Sequence, residues 1–175
     1  MAETLKTKLV KQGRVFRFVE QEVERPDGRR LTIDKIEHPG AVVILPQEKD
    51  GRLIVLRQFR PAVGQILYEF PAGTLEKSEP PARCAERELA EECGKKAAKW
   101  QPLGTLFPTP GFCDEVQYLF FASELSEASA EKDEDELIET ELATPADVER
   151  LITSDQMKDG KSLAIFLRAR LIGLI

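Results

Sequence analysis

The segment from Gly73 to Lys95 constrains the chain more than any other. Pro80 and Pro81 stand where a helix begins, because the first turn does not need their missing N–H groups. Ala82 to Cys93 is then rich in strong helix formers, and Gly94 follows where a C-terminal cap belongs. On such a helix Glu88 and Glu92 are four residues apart and Glu91 lies three beyond Glu88. The three carboxylates therefore share an arc of roughly 100°. Ala82, Ala85, Leu89 and Cys93 form a separate apolar arc, predicted to face the core. Arg87 can pair with Glu91. Clustered like charges weaken a helix by only about 0.2–0.5 kcal/mol per close pair. A lone Glu-x-x-Glu-Glu is thus compatible with a plain solvated face. The alternative is oxygen ligation of a hard cation, since Mg²⁺ takes carboxylates and water and has no need of histidine.

The rest of the chain reads as strands before this helix and strands and helices after it. Lys8 to Glu24 alternates and predicts one or two strands. Arg25-Pro26-Asp27-Gly28 is a turn, and Leu31 to Ile36 is the returning strand of an antiparallel unit. The character changes at His38-Pro39-Gly40, which sets two parts, 1–38 and 39–175. Ala41 to Leu45 is a continuous apolar run of the buried-strand type, with Arg52 to Arg57 expected as its partner strand. Ile66 to Phe70 is a further strand, ended by Pro71-Ala72-Gly73. Val116 to Ala122 is another, followed by an acidic loop from Glu124 to Glu136 and a short strand from Leu137 to Leu142. Thr144-Pro145-Ala146-Asp147 opens a helix, and Asp159-Gly160-Lys161 precedes the last one. These elements predict an α/β (α+β) sandwich with a small N-terminal antiparallel β unit.

Composition narrows the function classes. Thirty-one acids against 25 bases leave a net charge of −6, which argues against a nucleic-acid binder. Apolar runs fall short of the roughly 20 residues that span a bilayer, so no membrane partner is expected. Three cysteines without Cys-x-x-Cys spacing speak against a zinc site or a disulfide framework. The N-terminal Met1-Ala2-Glu3-Thr4-Leu5-Lys6 does not read as a secretory signal, and a cytoplasmic location is expected.

The complete string Gly73, five residues, Glu79, seven residues, then Arg87-Glu88-Leu89-Ala90-Glu91-Glu92-Cys93-Gly94 resembles the Nudix box of the Nudix hydrolases. Lys95 departs from the aliphatic residue usual after the glycine. Arg57-Gln58-Phe59-Arg60, Glu69-Phe70-Pro71-Ala72-Gly73, Pro108-Thr109-Pro110-Gly111 and Glu115 resemble the ADP-ribose pyrophosphatase branch, and Pro110 stands sixteen residues after Gly94 as in that branch.

The resemblance implies a Nudix-type α/β/α sandwich with a mixed sheet. It implies hydrolysis of a nucleoside diphosphate sugar to two monophosphates, with ADP-ribose first and GDP-mannose or another nucleotide sugar as the alternative. A nucleotide-sensing module without catalysis is the non-enzyme alternative. By the same resemblance Glu88 and Glu92 ligate Mg²⁺, with Mn²⁺ as a substitute, assisted by the Ala72 carbonyl and Glu91. Gly73 lets the backbone approach, Arg87 holds the carboxylates, and Glu79 and Gly94 shape the ends of the helix. Glu136, then Glu134, is the expected general base. Arg57 and Arg60 are expected to meet phosphate, and Glu115 with Gly111 the terminal sugar. A homodimer is implied, its N-terminal unit lending Phe16, Phe18 or Arg29 to the substrate pocket, although core packing is the first expectation for the two phenylalanines. His38 is read as structural.

Overall fold

In the computed structural model, residues 3–129 and 138–175 are described, and they fall into two compact units. The first comprises Met1–Gly40 with Phe107–Val116. Its sheet is antiparallel, with β2 (Arg17–Glu24) between β1 (Glu3–Gln12) and β3 (Arg30–Glu37). Alternation along β2 buries Val19, Gln21 and Val23. Phe16 lies in the turn between β1 and β2 and is 45% exposed, so it does not enter a core as expected. The loop Phe107–Val116 is fastened along β3. Ile36 donates its N–H to the Phe112 carbonyl at 2.7 Å, and Asp114 donates to that of Ile36 at 3.1 Å.

The second unit comprises Ala41–Leu106 and Gln117–Ile175. Its strands are β4 (Ala41–Pro46), β5 (Leu53–Arg60), β6 (Gln65–Glu69), β7 (Ala72–Thr74), β8 (Lys95–Leu106), β9 (Gln117–Glu127) and β10 (Ile138–Ala143). The helices are α1 (Pro81–Cys93), α2 (Pro145–Thr153) and α3 (Gly160–Leu171). A mixed sheet runs β7-β4-β9-β8, with β4 parallel to β9, and an antiparallel sheet runs β10-β5-β6.

All of β4 is buried because its two faces feed two cores. Val42 and Ile44 pack with Ile54, Phe120 and the Cys84, Ala85 and Leu89 side of α1. Val43 and Leu45 pack with Val55, Phe70, Leu119 and Phe121 against Val148, Ile165 and Phe166 of α2 and α3. This is the α/β/α sandwich the sequence predicts.

Four details differ from the sequence reading. β5 is not the ladder partner of β4; the two share cores through their side chains, with an isolated Gln47–Leu53 bridge just past the end of β4, and β5 pairs with β6 and β10 instead. Both strands are apolar on both faces, which hydropathy cannot distinguish from a hairpin. Pro71-Ala72-Gly73 is expected to end a strand, whereas Ala72 and Gly73 with Thr74 form one against β4. Lys95–Leu106 is a long strand that polar spacing concealed. β9 runs on to Glu127, so the acidic loop begins after the expected Glu124.

Local chemistry accounts for the helix ends. Pro81 begins α1, and Gly94 closes it in the left-handed conformation at φ 64°. Thr144 and Asp147 form a capping box for α2, and Asp159 caps α3 through the Ser162 N–H. No described helix is long and apolar enough to cross a membrane.

Candidate active site

The chemistry-bearing face of α1 is turned further inward than the sequence implied. Cys84, Ala85, Leu89 and Glu92 are its buried residues, while Ala82, expected in the core, is exposed. The helix is rolled about its axis so that Glu88 and Glu92 border β7 rather than facing solvent. Ala72 of β7 donates its N–H to the Glu92 carboxylate at 2.9 Å, and Glu92 is 7% exposed. One residue on, Gly73 lies directly against Glu88. A Cβ built on Gly73 would overlap the Glu88 carboxylate, so the close approach requires glycine.

Arg87 ties the cluster together. Its Nη1 donates to Glu88 at 2.6 Å and to Glu91 at 3.0 Å, and its Nε and Nη2 both reach Glu79 at 3.0 Å. Nη2 also donates to the Thr74 carbonyl at 3.3 Å. Glu79 in turn accepts the Glu76 N–H at 3.0 Å, fixing the loop that enters the helix. The Arg87 guanidinium holds the Glu79 carboxyl down at about 2, and the surrounding carboxylates hold Arg87 firmly protonated. Burial, reinforced by the charges of Glu79 and Glu88, pushes the Cys84 thiol up to about 12. Lys95, the departure from the family pattern, begins β8 and pairs with Glu48 at 3.1 Å and Glu127 at 2.6 Å. Two carboxylates thus take the place of an apolar contact.

Three carboxylates (Glu79, Glu88, Glu91) bond one guanidinium, and Glu92 stands one helical turn beyond Glu88 on the Ala72 N–H, leaving an excess of negative charge. Among the described residues, no three carboxylate, histidine or cysteine groups already converge as ligands on one point. The donor set nonetheless fits a divalent cation. It is all oxygen, three of its members occupy one helix edge, and Gly73 leaves the backbone open beside Glu88.

The expected substrate residues fall in different settings. Arg57 Nη1 donates to Glu139 at 2.8 Å, its Nε lies 3.7 Å from Glu141, and its guanidinium sits 5.8 Å over the Tyr68 ring. Arg60 forms a two-pronged pair with Glu69, with bonds of 2.8 and 2.7 Å. Burial favours a protonated Glu69, but Arg60 and Lys161 outweigh it and hold the carboxyl below its ordinary value.

Gly111 and Glu115 belong to the first unit. Gly111 lines a cleft of about 320 Å³ with Ile33, Phe107 and Phe112, and Glu115 lies 4.0 Å from His38 Nδ1. His38 Nδ1 also accepts the Gly40 N–H at 3.1 Å. Glu134 and Glu136 lie outside the described residues. Sequence reasoning missed Glu69 and Lys161 as a pair. Each stood in a noticed string, but their separation of 92 positions hid the contact.

With this geometry in place, the class of protein is clear: the chain belongs to the Nudix family, whose NUDIX domain matches residues 37–164. Hydrolases of this family generally use a divalent metal. The chain is 36% identical over 162 residues to the ADP-ribose pyrophosphatase of Bacillus subtilis (strain 168), covering 91% of this chain and 88% of that protein. It is 32% identical over 163 residues to the methanol dehydrogenase activator of Bacillus methanolicus, covering 92% and 88% respectively. A solved ADP compounds hydrolase shares the fold, with a TM-score of 0.82 at 23% identity over 97% of this chain and 92% of that one.

Proposed function

We propose that this chain hydrolyses the pyrophosphate bond of ADP-ribose or a closely related nucleoside diphosphate sugar, giving a nucleoside monophosphate and a sugar phosphate. The observation that carries this reading is the seating of Gly73 against Glu88, beside Glu91 and Glu92, in a chain 36% identical to an ADP-ribose pyrophosphatase. Glu88 and Glu92, with Glu91 and the Ala72 carbonyl, would hold Mg²⁺, for which Mn²⁺ can substitute. When bound, such a cation screens the pyrophosphate charge and acidifies a coordinated water.

The chain's own groups do the remaining work. Arg87 fixes Glu88 and Glu91 against their mutual repulsion, and Ala72 N–H aims Glu92. Glu136, or failing it Glu134, accepts the proton of the attacking water. The new O–P bond then forms as the bridging P–O bond breaks, and the bridging oxygen leaves with the second monophosphate. We assign a phosphate oxygen to Arg57 before Arg60, because the carboxylates that pair with Arg57, Glu139 and Glu141, are exposed and exchangeable, whereas the buried Glu69 fills the fork of Arg60. Gly111 and Glu115 are assigned to the terminal sugar. We place the protein in the cytoplasm as a homodimer, a state supported by the exposed Leu5, Leu9 and Val10 of β1.

The test is monophosphate release from ADP-ribose, GDP-mannose and UDP-glucose, with Mg²⁺ and with EDTA, for the native chain and Glu92→Gln. EDTA-sensitive cleavage that is fastest for ADP-ribose and lost in the variant is the expected result. Nucleotide binding without turnover of any of the three would overturn the enzyme reading.

A further inference from the structure

The groups that steady Glu92 do not end at Ala72. Three residues upstream, at the end of β6, Glu69 is only 1% exposed yet fully engaged. Arg60 grips it with two hydrogen bonds, and the Lys161 ammonium from the first turn of α3 pairs with its Oε2. Asp159, the cap of α3, accepts from Lys161 at 2.9 Å and from the Ser162 hydroxyl at 2.6 Å. The Ser162 oxygen then accepts the Phe70 N–H at 2.8 Å. The start of α3 therefore pins two successive residues of the lead into β7, one by its side chain and the next by its backbone. The ladder with β5, in which Glu69 stands opposite Leu56, holds the backbone of β6 but leaves the direction of the Glu69 side chain to these ion pairs.

A neutral set of two cations and two carboxylates is a poor source of stability when well-packed apolar groups could replace it. What it supplies is direction: it fixes where the backbone stands as it reaches Ala72, whose N–H holds Glu92. We propose that Lys161 is a positioning residue for the carboxylate face of α1. With Arg60 it fixes Glu69, and through Phe70 and Pro71 it sets the Ala72 N–H that aims Glu92. This rests on the reading that Glu92 ligates a divalent cation.

The test compares Lys161→Met and Lys161→Arg in the full chain. Mn²⁺ binding is followed by the electron paramagnetic resonance of the free ion without nucleotide, and kcat and KM by ADP-ribose cleavage. Lys161→Met is expected to weaken Mn²⁺ binding and lower kcat, each by roughly 10–100-fold as for other partners that orient a ligand. KM should stay within about twofold, on the view that such a partner acts through the metal ligand rather than through substrate. Lys161→Arg should recover most of both losses. A folded Lys161→Met that binds Mn²⁺ like the native chain overturns the proposal, as does an arginine variant equally impaired. If Lys161→Met does not fold, Ser162→Ala carries the test, because it frees the Phe70 N–H while Asp159, losing the Ser162 hydroxyl, keeps Lys161 and the Ser162 N–H. Weakened Mn²⁺ binding there supports the proposal and native binding overturns it. Absence of Mn²⁺ binding by the native chain would instead sink the metal reading itself.

Discussion

Replacing Gly73 by alanine probes the closest approach in the site. The added methyl would overlap the Glu88 carboxylate, and the backbone at Gly73 is not in the left-handed region, so the penalty is steric rather than conformational. Glu88 must swing away and give up its 2.6 Å bond to Arg87. A hydrogen bond to a charged partner is worth about 1.5–3 kcal/mol, while the alanine returns about 0.4–1 kcal/mol by restricting the unfolded chain. The difference is a destabilisation of about 0.5–2.5 kcal/mol, or about 1–10 °C in Tm for a chain of this size. Calorimetry with EDTA measures that term alone. A double-mutant cycle with Glu88→Ala then assigns the cause, because removing the carboxylate removes the clash. In the Glu88→Ala background, Gly73→Ala should be neutral or slightly stabilising. An equal cost in both backgrounds would refute the argument that Gly73 is glycine because of Glu88.

Arg87→Met should destabilise the chain by roughly 3 kcal/mol, the low end for breaking a buried pair, since Arg87 and Glu91 are partly exposed; urea unfolding should also show divalent cations recovering part of the loss. Glu79 is depressed to about 2 from an ordinary 4.5, so its contribution is complete above pH 4.5 and lost as pH falls toward 2. The native chain should therefore lose more stability between pH 5 and pH 3 than Glu79→Gln, and parallel slopes for the two would exclude the Arg87 pairing as the cause. Cys84, with its thiol at about 12, should resist iodoacetamide at pH 8 in the folded chain and react after unfolding in urea, as read by mass spectrometry.

The parts of this protein legible in its sequence are those set by local chemistry. Pro81 and Gly94 bound α1, Thr144 and Asp147 box the start of α2, and the apolar run at 41–45 is buried because no other environment suits it. The spacing of Glu88, Glu91 and Glu92 is enough by itself to put three carboxylates on one helix edge. Where that edge points was beyond the sequence. The roll of α1 follows from how Cys84, Ala85 and Leu89 fit against Val42, Ile44 and Phe120, and it puts Glu92 inside and Ala82 outside. Likewise β4 and β5, alike in hydropathy, joined different sheets, because a strand apolar on both faces carries no mark of its ladder partner. The union of Glu69 with Lys161 crosses 92 residues and exists only once β6 and α3 are brought together. Sequence determined the identity and spacing of the reactive groups through covalent connection and helical period. Tertiary packing decided their depth and their partners, because burial and long-range ion pairs depend on surfaces that meet only in the folded chain.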